Sequence, residues 1–178
     1  MATVFIPLLM NRLAGTKTTV ALYLTVSQVA ATLAQVLVGW AADRWGRHWP
    51  TLIAFGTLIA SALALGAFSS QLWGLFALGV LGTCAAWSLS VLSTCLVSDA
   101  TPAEEQGRVL GLLALLWNAG MVTGSLIGGA LLDLSTALPF YVVAAVNVPT
   151  ILLMLLFTRL QQTAGPSCVS HYPEVKEA

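Results

Sequence analysis

A chain of 178 residues in which 58% are hydrophobic and 8% charged, with seven Lys and Arg balanced by seven Asp and Glu, is far below the roughly 25% charge of soluble domains. That composition rules out a disordered chain and argues strongly against a soluble one, and with no basic patch interleaved with aromatics it gives nucleic acid nothing to bind. Cys84 and Cys95 lie in one apolar run and Cys168 near the C-terminus, so the cysteines form no disulfide framework and read as packing residues.

Charges fall in clusters at Arg12 and Lys17, from Asp43 to Arg47, from Asp99 to Arg108, at Asp133, at Arg159 and from Glu174 onward. The runs between them divide into stretches of the roughly 20 residues that a helix rising 1.5 Å per residue needs to cross about 30 Å of hydrocarbon. Five spans are predicted, over residues 18–42, 51–69, 72–98, 109–132 and 139–158. Pro50, Pro102 and Pro139 stand at or just before predicted helix starts, where a missing N–H costs nothing. Residues 3–10 are too short to cross and have no basic segment before them, so they read as the stump of a sixth helix rather than a signal peptide. Orientation follows from basic residues: Arg44, Arg47, Arg108, Arg159 and Lys176 share one side, with Arg12 and Lys17 on the other. Positive-inside placement therefore puts the Asp43–Arg47 loop and the C-terminus in the cytoplasm. The expectation is a multi-pass protein of the plasma membrane, with the lipid bilayer as its first partner.

The first loop is the most informative stretch. It reads Gly39-x-x-x-Asp43-Arg44-Trp45-Gly46-Arg47, with three charges and two glycines where a helix must leave hydrocarbon and turn within a few residues. This pattern resembles the signature loop of the major facilitator superfamily of membrane transporters. Asp99, Pro102, Glu104, Glu105, Gln106, Gly107 and Arg108 fit that family's second cytoplasmic loop loosely. Gly120, Gly124, Ser125, Gly128 and Gly129 resemble its glycine-rich antiporter motif, with Ser125 where the family has a kinking proline, a departure that weakens the antiporter reading.

The resemblance implies an all-α, polytopic membrane fold and one half of a transporter whose complete form has two six-helix halves around a cavity. The expected organisation is a helix stump and extracytoplasmic segment at 1–17, a five-helix half-bundle at 18–158 matching spans eight to twelve of the C-terminal half, and a cytoplasmic tail at 159–178. It implies transport of a small organic solute by alternating access, as an exporter, with the missing half or a second copy as partner and no cofactor. Gly39, Asp43, Arg44, Gly46, Arg47, Asp99 and Arg108 then form a gating motif. Asp43 would face the N-terminal end of another helix, and Arg44 or Arg47 would pair with Asp99 or Glu105 and release as the halves rock. The plainer reading is that these charges only anchor a loop. An alternative function is a truncated membrane protein that docks on other helices without transporting.

Within the spans, Thr25, Gln28, Thr32, Gln35 and Gly39 recur at helical spacing on one face. An amide in hydrocarbon needs a partner, supplied either by a water-filled cavity or by a neighbouring helix, and both readings stand. Trp87 and Asn118 complete the substrate-path candidates, although hydroxyls and amides can also bond back to their own helix. Gly120, Gly124, Gly128 and Gly129 are expected to pack against another helix. No Asp, Glu, Lys, Arg or His lies mid-span, so a coupling ion would need a titratable group elsewhere. No metal-ligand spacing, nucleophile and base pair or phosphate-cradling loop occurs, which argues against an enzyme.

Overall fold

The computed structural model describes residues 2–14, 16–68 and 71–163, all helical or in short turns with no strand among the described residues. Six helices follow one another: α1 (Ala2–Ala14), α2 (Lys17–Trp45), α3 (His48–Ala67), α4 (Leu72–Ala100), α5 (Gln106–Leu134) and α6 (Leu138–Thr163). Four are long and apolar enough to cross a membrane, namely Lys17–Trp45, His48–Ala67, Leu72–Ala100 and Gln106–Leu132. The span expected at 139–158 falls in α6, whose apolar stretch among the described residues is Leu138–Leu153.

The helices overrun the predicted spans because a charge ends the hydrocarbon segment without ending the helix. Asp43 and Arg44 close α2, Asp99 lies in the last turn of α4, and Arg108 lies in the first turn of α5. For the same reason Arg159 is helical, so the predicted tail begins inside α6. Its remainder, with Cys168, His171 and Lys176, lies outside the described residues. Pro50 and Pro139 sit in the first turns of α3 and α6, where no intrahelical donor is lost.

α4 is the centre of the bundle, packing against α1, α2, α3 and α5, while α6 closes on α3 and α5. The predicted stump proves to be the keystone of the core. Phe5, Ile6, Leu9 and Met10 of α1 are almost fully buried, in one cluster with Tyr23, Leu65, Leu75, Leu132 and Phe140, so every helix contributes. At the other end Ala42, Ala54, Leu89 and Leu92 pack α2, α3 and α4 together. Lipid supplies no hydrophobic drive between helices, so close packing must hold them. Gly79 shows how close: a Cβ there would sit 2.9 Å from the Tyr23 hydroxyl and 3.1 Å from Ile6. That hydroxyl lies 3.5 Å from Thr83 Oγ1, which is 2.8 Å from the Gly79 carbonyl oxygen. A buried polar group is thereby satisfied where no water can reach it.

The packing predicts that Gly79→Val destabilises the chain by about 1–3 kcal/mol through overpacking, whereas Gly56→Ala, with nothing within 4 Å of its Cβ, is neutral or stabilising by up to about 1 kcal/mol. Thermal unfolding in detergent, followed by exposure of Cys84 to a thiol-reactive dye, measures both. Equal melting temperatures would contradict the packing at Gly79.

Candidate functional site

The turn from α2 to α3 has two residues, and each has a distinct task. Gly46 takes φ +81° and ψ 158°, a backbone region essentially confined to glycine. No atom lies within 4 Å of a Cβ built there, so the dihedral and not the space demands glycine. Arg47 follows, its backbone held by the Thr51 hydroxyl, which donates to the Arg47 carbonyl at 2.6 Å. Its guanidinium crosses to the end of α4, where Nη1 donates to the Cys95 carbonyl at 2.7 Å and forms an ion pair with Asp99. The last turn of α4 contains no basic residue of its own. Its carbonyls receive a second donor from the other side, Gln106 Nε2, at 3.1 Å from Ser98 O and 3.4 Å from Thr101 O.

The remaining charges of the motif form no ion pair among the described residues. Arg44 places its guanidinium 5.7 Å from the Trp40 ring centre and pairs with no carboxylate among the described residues. Arg108 is exposed and likewise unpaired within the described chain; Gln106, not Arg108, ties the α4–α5 loop to α4. Glu105 forms no ion pair among the described residues. Asp43 is exposed and forms no ion pair or side-chain hydrogen bond among the described residues. Gly39, expected to admit a neighbouring backbone, has nothing within 4 Å of a Cβ built on it.

The polar stripe of α2 is not its packing face. Tyr23, Ser27, Ala31 and Ala42 are buried, whereas Thr25, Gln28 and Thr32, about a quarter-turn or more away, are exposed. Thr25 and Thr32 bond back to Ala21 O and Gln28 O at 3.0 and 2.9 Å. Only Gln35 reaches another helix, its Nε2 standing 3.5 Å from the Trp87 carbonyl, which brings two substrate-path candidates together. Asn118 stays apart on α5 and donates to its own helix at Ala114 O, 2.8 Å away. The glycine ridge of α5 is used at one end. Gly124 and Gly128 are buried, the latter against the Phe5 ring, while Gly120 and Gly129 meet nothing within 4 Å. Packing at those two glycines is thus not made among the described residues.

A family model for the Major Facilitator Superfamily matches residues 1–168. The chain belongs to the Major Facilitator Superfamily. It is 32% identical over 164 residues to the class H tetracycline resistance protein of Pasteurella multocida, covering 89% of this chain and 38% of that protein. It is 31% identical over 131 residues to the MFS-type efflux transporter ffsH of Aspergillus flavipes, covering 71% of this chain and 22% of the relative. With the class B tetracycline resistance protein of Escherichia coli it shares 32% identity over 124 residues, 68% of this chain and 30% of that protein. The chain thus spans well under half the length of these curated relatives. No solved structure matches it.

In this major facilitator chain, then, the signature loop is bound inward by one residue, Arg47, and leaves Asp43 facing outward. Sequence reasoning missed Gln106, although a glutamine opening a helix just after another has ended is a visible source of donors for bare C-terminal carbonyls. Because Arg47 serves both Cys95 O and Asp99, Arg47→Ala should lower the melting temperature more than Asp99→Ala. The Arg47–Asp99 coupling in a double-mutant cycle should stay below about 1 kcal/mol, as for solvent-accessible pairs. An Asp99→Ala loss equal to the arginine's would show that the carbonyl contact contributes nothing.

Proposed function

We propose that this chain forms one half of a secondary transporter that exports a small organic solute by alternating access, the other half being the rest of a longer protein or a second copy. The observation that carries this is the exposed stripe from Thr25 to Gln35. Thr25 and Thr32 are satisfied by their own helix and Gln35 reaches α4, but the Gln28 side-chain amide is exposed with no hydrogen bond to the described residues, and in a membrane it needs a wetted cavity wall opposite it. The efflux and resistance names of the relatives support export and favour it over a helix-docking protein that does not transport. A stripe without fixed charge suits a neutral or amphipathic solute. Ion coupling would draw on a titratable group outside these spans.

The gating roles divide. Arg47, Cys95 and Asp99 all lie within one half, so rocking of rigid halves leaves their contacts intact, and they act as a brace. Asp43 is the charge left free to meet the other half, where a helix N-terminus would hold it in one state only. In the complete transporter, Asp43→Asn should lower turnover by about three- to tenfold, the effect of losing roughly 1 kcal/mol of a state-specific helix-end contact. Melting temperature and amount in the membrane should not change, whereas Arg47→Ala should lower all three. Normal turnover with Asp43→Asn would remove the gate and leave the charges as loop anchors.

The same reading places the α2–α3 and α4–α5 loops in the cytoplasm. Single cysteines at the exposed positions His48 and Glu104, in a background without the native cysteines, should resist a membrane-impermeant maleimide in intact cells and react after permeabilisation. Reaction of either from outside would invert the topology.

A further inference from the structure

Away from the polar stripe, α2, α3 and α4 enclose a side-opening crevice of about 410 Å³. Its walls are apolar, with the exposed side chains of Leu37, Ile53 and Leu81 farther from the loop and Trp40, Trp45 and Trp49 at the loop end. Thr57, a hydroxyl on the wall, already donates to Ile53 O at 2.8 Å. On α2 the crevice residues Leu37, Trp40 and Ala41 share a face with Arg44, roughly 150° round the helix from the centre of the Thr25–Gly39 stripe. Asp43 projects on the stripe side, so the charge above the crevice mouth is the guanidinium of Arg44.

We propose that this crevice is a binding site for one anionic phospholipid of the surrounding bilayer, an acyl chain lying in the groove and the phosphate on Arg44. The order of chemistry along α2 matches a lipid's: aliphatic wall, then indoles at the depth of the polar–apolar boundary, then a cation in the headgroup layer. Trp40 and Trp45 stack edge to face at 6.1 Å, and Arg44 rests 5.7 Å from the Trp40 ring centre. That ring contact and the lack of an ion pair among the described residues leave the fork of donors aimed at solvent, where a phosphate is its best acceptor. A second protein segment fits less well, since the small residues Ala54, Ala85 and Ser88 are buried beneath exposed leucine, isoleucine and tryptophan side chains and no amide lines the crevice. The proposal rests on membrane insertion alone and not on transport or on sidedness.

The test uses the full chain with Trp73, Trp87 and Trp117 changed to Phe, in phosphatidylcholine vesicles titrated with acyl-brominated phosphatidylglycerol or acyl-brominated phosphatidylcholine. Half-maximal tryptophan quenching should need about fivefold less of the anionic lipid, the factor for about 1 kcal/mol per basic residue at an anionic surface. Arg44→Gln should abolish that difference, and Ala41→Phe, which fills the crevice, should weaken quenching by both lipids. Native mass spectrometry of the unaltered chain should retain one phosphatidylglycerol, lost on Arg44→Gln. Equal quenching by the two lipids, or a preference that survives Arg44→Gln, overturns the site. Absence of quenching together with a cross-linked dimer overturns it in favour of a protein occupant.

Discussion

The last turn of α4 sets the terms for everything at the loop end of this bundle. An α-helix finishes with carbonyls that have no intrahelical donor, and this one has no lysine, arginine or histidine of its own to answer them or its dipole. Gln106 at the start of α5 and the Thr101 hydroxyl supply donors to Ser98 O and Val97 O, while Arg47, from the loop before α3, pairs with Asp99 in the last turn and reaches Cys95 O just before it. One helix end thereby fixes two loops, and the glycine-only dihedral at Gly46 is what lets Arg47 arrive from so short a turn. The signature motif is best understood as a means of delivering one guanidinium to a neighbouring helix while directing the adjacent carboxylate elsewhere.

α2 is accordingly a helix with three distinct faces. Tyr23, Ser27 and Ala31 pack inward, Thr25, Gln28 and Thr32 of the polar stripe are exposed, and Leu37, Trp40 and Ala41 line the crevice against α3. A helix with one apolar stripe can serve only one environment. Three faces on one helix allow it to pack within its own bundle while presenting amides and hydroxyls on one side and an apolar, indole-lined surface on the other. The consecutive residues Asp43 and Arg44, about 100° apart, carry that division to the loop end.

Much of this was legible in the sequence because the bilayer makes charge placement nearly binding. Three of the spans lay between charges and two shared the run without Asp, Glu, Lys or Arg from residue 48 to 98, while Asp43 to Arg47 marked a hairpin. What could not be read was whatever depends on which faces meet. α1 looked like a stump because length is the test for crossing, yet Phe5, Ile6, Leu9 and Met10 fill the centre of the core; burial is set by where a segment docks, which its own periodicity does not state. The polar stripe and the buried face of α2 are adjacent and both rich in small and hydroxyl residues, so composition alone left cavity and packing equally open. Gly120, Gly124, Gly128 and Gly129 looked equivalent, but Phe5 packs on Gly128 while Gly120 and Gly129 have nothing within 4 Å of a Cβ built on them.

The distribution of packing also bears on how such a half would move. All six helices meet in the Phe5–Phe140 cluster, whereas at the other end only α2, α3 and α4 converge, on small residues such as Ala42 and Ala54. There the Arg47–Asp99 contact adds a brace that is open to solvent, with 30% and 57% of the two side chains exposed. A solvent-accessible ion pair contributes about 0–1 kcal/mol, too little to hold two halves in one state but enough to orient a short loop already fixed by Gly46. A switch needs its state-dependent contact to be separable from the contacts that keep the fold. In this chain the separation falls between neighbours in sequence: Arg47 is bound into the bundle, and Asp43, one turn earlier, contributes nothing to the bundle's own cohesion and is free to respond to whatever faces it.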